Sequence, residues 1–246
     1  MLCKLSAQSS DYREDPLFFS SPTILAHATL IAKGAHISLL CTSTDYNETD
    51  QVLFRKSLNT TIQKYLAALK NHYAQAKLPT EIEDIQIIFD ELISNVFKAP
   101  LSTIMHAHPE LIQKTKITDG PTKRIELIKT HIPQANLGTK LFIEAEIFHP
   151  PYAKDQPLLR IEISNRGILQ ENIIESINWK LSPEIGITEF LLQVTGNQTT
   201  GTESIGLIMA RDKIHEYNGH IRFDYIRAQQ ADTGRIVFLL EFPLIP

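Results

Sequence analysis

The chain has 246 residues, 43% of them apolar and 21% charged, with 10 Gly, 13 Pro and a formal net charge of -4. Such a composition excludes a disordered or fibrous chain and leaves room for one large domain with an extension, while the slight acidity offers no general attraction to nucleic acid or an anionic membrane. The two cysteines, Cys3 and Cys41, come with no C-x-x-C or His/Cys cluster and fit a reducing cytoplasm.

Residues 1–20 hold Asp11, Arg13, Glu14, Asp15 and Pro16 with little periodicity and no signal-peptide pattern, and are read as a loose leader. The most apolar stretch, Ile24 to Cys41, is interrupted by His27, Lys33, Gly34 and His36, short of the ~18 uninterrupted apolar residues of a membrane span. Its two halves, rich in β-branched residues and split at Lys33-Gly34-Ala35, predict a β-hairpin. Within 51–77, Leu58, Ile62, Tyr65, Leu66, Leu69 and Tyr73 recur at helical spacing, and Lys77-Leu78-Pro79-Thr80 ends the run.

The next helix, 81–98, carries Ile82, Ile85, Phe89, Leu92 and Val96 on a core-facing stripe, with Thr80 and Glu83 spaced as a capping box. At about 100° per residue, Glu91, Asn95 and Lys98 fall within roughly 60° of one another. A carboxylate, an amide and an ammonium therefore share one line. Residues 21–80 are read as an N-terminal unit that serves dimerisation or partner binding, and 81–246 as the main domain.

From 99 to 140 the breakers Pro100, Pro109, Asp119-Gly120-Pro121 and Pro133 surround a single amphipathic run, Thr122 to His131, as in a lid or binding insertion. An antiparallel strand pair is expected over 141–148 and 158–164, ending in Asn165-Arg166-Gly167. A short helix from Glu171 to Trp179 and a polar loop from Gly186 to Gly201 follow. Ser204-Ile205-Gly206-Leu207 then feeds a helix closed by Asn218-Gly219, and a glycine-bearing loop at a helix N-terminus suits an anion. The chain closes on a β-hairpin, HIRFDYIR and IVFLLEFPL.

Three segments, taken in order, resemble the histidine-kinase-like ATPase family, which also holds gyrase-type, Hsp90-type and MutL-type domains. E-L-I-S-N-V-F-K at 91–98 is similar to its N box, R-I-E-I-S-N-R-G at 160–167 to the strand entering its first glycine box, and G-T-E-S-I-G-L at 201–207 to its second. The resemblance covers about residues 80–246. It implies an α+β fold, a two-layer sandwich of a mixed sheet with helices on one face, here with an added N-terminal β-hairpin and helical hairpin. It also implies Mg-ATP between the N-box helix and the glycine loops. In that scheme Asn95 coordinates Mg²⁺, Lys98 neutralises phosphate charge and Glu91 orients or deprotonates the attacking group. Asn165 faces the base, Gly167 lets the backbone approach it, and Gly201, Ser204, Gly206 and Leu207 cradle phosphates under a lid at 186–206.

The chain departs from the pattern at three points. Asn165 stands where the family carries Asp, Gly167 is followed by Ile168-Leu169 instead of a second glycine, and Ser204 replaces a glycine. His72 precedes Tyr73 rather than an acidic residue, and His215-Glu216 lies after the second glycine box, so no phospho-accepting histidine is expected in cis. Two functions remain open. One is a Mg-ATP-dependent kinase acting on a partner signalling protein, as in two-component systems. The other is a disarmed module that regulates by protein contact or by a homodimer through the 51–98 helices.

Overall fold

The computed structural model describes residues 15–21, 24–33, 36–43, 48–114, 121–135, 137, 139–151, 156–190, 205–227 and 234–245. Its strands are β1 (Asp15–Ser21), β2 (Ile24–Lys33), β3 (His36–Ser43), β4 (Thr139–Phe148), β5 (Leu158–Gly167), β6 (His220–Arg227) and β7 (Gly234–Pro243). Its helices are α1 (Glu48–His72), α2 (Ile82–Ala107), α3 (Pro109–Lys114), α4 (Pro121–His131), α5 (Glu171–Leu181) and α6 (Gly206–Glu216). The strands form one seven-stranded sheet in the order β1-β2-β3-β4-β5-β7-β6. Every pairing in it is antiparallel, where the resemblance implied a mixed sheet. The α+β, two-layer architecture is as expected.

Alternation along the strands decides which face meets the helices. Leu141, Ile143 and Ala145 of β4, Leu159, Ile161 and Ile163 of β5, and Ile236, Phe238, Leu240 and Phe242 of β7 are buried on the inner face. They share a core with Leu58, Ile62, Tyr65, Leu66 and Leu69 of α1, Ile85, Ile88, Phe89, Leu92 and Ile93 of α2, and Leu207 and Ile214 of α6. The opposite face carries Arg160, bonded to Glu241 and stacked over Phe148 at 3.8 Å, and Arg235, bonded to Glu162 and Ser164.

Four sequence expectations are corrected. Residues 15–20, read as leader, belong to β1, which pairs with β2 from Asp15↔Leu30 to Ser21↔Ile24; residues 1–14 lie outside the described residues. The division at residue 80 is not a boundary in packing, because β3 pairs with β4 and α1 shares the core of the sheet. Thr80 does not cap α2: Glu81 is the N-cap residue, with no side-chain cap, and the Thr80 carbonyl accepts from the Gln63 amide.

The fourth concerns 99–140. Helix α2 does not stop at residue 98 but continues through Pro100 to Ala107. A proline inside a helix removes one hydrogen bond. Leu101 and Met105 beyond it are buried with Leu111 of α3, Ile125 and Ile128 of α4, and Leu137, and this second small core holds the last turns of α2 in place. The insertion is thus a helical subdomain built on the C-terminal half of α2.

Candidate functional site

The site is built on the contact between α2 and α6. At one end the Tyr217 hydroxyl donates to Asp84 Oδ2, and Lys213 Nζ lies 3.1 Å from Asp84 Oδ1 and 2.8 Å from Glu216. Seven residues on along α2 stands Glu91, and seven residues back along α6 stands Gly206. These two also meet: a Cβ placed on Gly206 would sit 2.6 Å from Glu91 Oε2 and 2.8 Å from its Cγ. The helices therefore run antiparallel in register over two turns. A side chain at 206 would have to displace the Glu91 side chain, which occupies the space of a Cβ.

Asp84, Glu91, Asn95 and Lys98 lie on one stripe of α2, spread over about 60°. Because α6 begins at Gly206, Asn95 and Lys98 stand one and two turns past its N-terminus. Asn95 is half-buried; Lys98 is placed on the helix, its side chain outside the described residues. Ile205 is the N-cap residue of α6 and makes no side-chain cap hydrogen bond, and the Glu91 carboxylate lies beside Gly206 at the positive end of the helix dipole. Leu207 is buried at 4% exposure and serves the core. Gly201 and Ser204 lie outside the described residues.

The other residues singled out in the sequence lie at the end of β5. Asn165 is 1% exposed, and its Oδ1 is buried without a hydrogen-bond partner among the described residues, while its Nδ2 is 3.5 Å from the Arg166 carbonyl, long for a hydrogen bond. Gly167 closes the strand. Its carbonyl accepts from the Tyr225 hydroxyl at 3.3 Å, and the Tyr225 ring crosses Gly234, where a Cβ would come within 2.5 Å of it. Just past β5, the Ile168 N–H donates to Thr103 Oγ1 of α2 at 3.3 Å. Glu91, where α2 meets Gly206, and Thr103, where it meets the residue after β5, are about 18 Å apart along the helix.

Helix α6 is also tied to α5. Arg211, 2% exposed, donates from Nη1 to the Lys180 carbonyl at 3.0 Å and to the Ser182 carbonyl, and from Nη2 to the Ile185 carbonyl at 2.5 Å. Its Nε lies 2.9 Å from Asp212 Oδ1. The Lys180 and Ser182 carbonyls end α5, where a cation is favoured, and Ile185 follows in the segment beyond it.

The structure thus joins Glu91 to Gly206, with Asn95 next on the same stripe. It places Asn165 and Gly167 together at the end of β5. Sequence reasoning missed Asp84, Thr103, Lys213, Tyr217 and Tyr225. Asp84 was legible, since it precedes Glu91 by seven residues on the same helical stripe; the others come together only through packing of distant segments. Among the described residues no helix is long and apolar enough to cross a membrane, and no group of three His, Cys, Asp or Glu side chains could hold a metal ion. No family model, curated protein or solved structure matches the chain.

Proposed function

We propose that the chain binds Mg-ATP between α2 and the end of β5 and transfers phosphate to a partner protein. The observation that carries the reading is the meeting of Glu91 with Gly206. Two of the three segments that resemble the family's boxes are in contact there, at the N-terminus of α6. The unpartnered Oδ1 of Asn165 supports it further, because a buried acceptor left without a donor costs about 1–3 kcal/mol and suits a ligand that brings one.

The residues fit the group. Bound Mg-ATP supplies the transferable phosphoryl group. Asn95 offers an amide oxygen of the hard type that Mg²⁺ takes, and Lys98 follows one turn later with a cationic side chain. The N–H groups of the first turn of α6 favour a phosphate in front of Gly206. Glu91 is placed to orient or accept a proton from the attacking hydroxyl. Asn165 accepts from an exocyclic amino group of the base. The Ile168–Thr103 and Tyr225–Gly167 hydrogen bonds hold that end of β5 against α2 and β6.

A second reading is favoured by Asn165 itself. A neutral amide lacks the charge-assisted strength of the carboxylate in the family, so binding would be weak and the chain would act as a regulatory module through protein contact or homodimerisation of its 51–98 helices. Calorimetric titration of Mg-ATP into wild type and Asn95→Ala separates the two. Micromolar binding lost in Asn95→Ala supports the first reading. No heat at millimolar nucleotide overturns it and leaves the second.

A further inference from the structure

We propose that Asp84, Lys213 and Tyr217 are positioning residues: they set the register of α6 on α2 and thereby hold Gly206 against Glu91 at the mouth of the site. The assignment of that mouth to phosphate rests on the function proposed above; the register itself rests on geometry alone. Asp84 receives the Tyr217 hydroxyl on Oδ2 and the Lys213 ammonium on Oδ1, so both carboxylate oxygens of one α2 residue are held by one face of α6. The cluster is only partly exposed, with Asp84 at 18% and Lys213 at 21% of their side-chain surface. It stands two turns, about 10 Å, along α2 from Glu91.

The position requires such a device. The contact it fixes is close on the Gly206 side, since a methyl group there would have to displace the Glu91 side chain. The other strong tie on α6, Arg211, binds the carbonyls at and just beyond the end of α5 and so sets α6 against α5, not against α2. A slip of one residue between the helices would carry Gly206 about 1.5 Å along α2 and turn it by about 100°. The N-terminus of α6 would then no longer face the stripe that bears Asn95 and Lys98.

The test compares Tyr217→Phe, Asp84→Asn, Lys213→Met and the conservative Lys213→Arg with wild type by two readouts: the backbone amide resonance of Gly206 in the free protein, and Mg-ATP affinity by calorimetry. Gly206 should shift in the first three variants and return toward its wild-type position in Lys213→Arg. Affinity should fall roughly tenfold or more in the first three and recover in the last, the scale of one lost hydrogen bond to a charged group. An unmoved Gly206 amide in Tyr217→Phe and Asp84→Asn overturns the positioning role. A wild type that binds no Mg-ATP, with the Gly206 shifts present, leaves the positioning role standing and removes only the nucleotide.

Discussion

Asn165 is buried at a position where stability alone favours an apolar side chain. It is 1% exposed, in line with Ile161 and Ile163 on the inner face of β5, and its Oδ1 has no hydrogen-bond partner among the described residues. Replacing it with Leu, which has the same number and branching of side-chain heavy atoms, removes the desolvation penalty. Asn165→Leu should therefore unfold at an equal or higher denaturant concentration, by about 1–2 kcal/mol, while losing nucleotide affinity. A strong drop in stability would mean that Oδ1 has a partner. On the proposed function, Asn165→Asp should strengthen adenine binding by supplying a charge-assisted acceptor, read by the same titration. Arg211 is the opposite case, a buried cation with its acceptors in place. Arg211→Met leaves the Lys180, Ser182 and Ile185 carbonyls without it and should cost about 3–5 kcal/mol in urea denaturation.

At the scale of elements, α2 carries the molecule. Its N-terminal half is buried in the main core through Ile85, Phe89 and Leu92, and its C-terminal half in the second core through Leu101 and Met105. Phe89 has 0% exposure, so Phe89→Ala should destabilise by about 3–5 kcal/mol with the denaturant slope unchanged. Pro100 lies in the helix between the two halves. Pro100→Ala should raise stability by about 1–3 kcal/mol, since it restores a helical hydrogen bond and a better helix former; a loss would mean that the helix needs the interruption. The end of α6 follows sequence closely. Asn218 adopts φ 57°, and the Gly219 N–H donates to the Ile214 carbonyl, as the Asn-Gly pair predicted.

For the whole molecule, the α2–α6 contact sets a pH window. Asp84 is held below its ordinary value of 3.8, first by the Tyr217 hydroxyl and then by Lys213. Its contribution is present above that value and is lost as pH falls through the lowered one. Burial, with the hydrogen bond to Asp84, pushes Tyr217 up to about 12 from 10.0, so its contribution is present below pH 10.0 and lost as pH rises toward 12. Lys213 is raised by Glu216 and Asp84 and weakens the fold in the same alkaline direction. His215 is lowered from 6.5 by burial and by Arg211, which adds an earlier loss as pH falls below 6.5. Stability should thus be flat between about pH 6.5 and 10, falling on both sides. Tyr217→Phe should soften the alkaline fall in denaturation curves taken from pH 8 to 11.

Local pattern determined much of this protein. Alternation identified β4 and β5, heptad-like spacing identified α1 and the first half of α2, and the Gly and Asn punctuation marked the end of α6, because each of these signals reports on neighbours within a few residues. The line of Glu91, Asn95 and Lys98 was legible for the same reason. Tertiary structure alone decided the rest. Residues 15–20 look like a leader until β2 offers them a partner, and Pro100 reads as a stop until the second core outweighs the missing hydrogen bond. Gly206 meets Glu91, and Tyr217 meets Asp84, across more than 100 residues of chain, as do Tyr225 and Gly167 across 58. No periodicity connects such positions. They are joined by burial of apolar faces on a common core, which brings the polar groups together as a consequence.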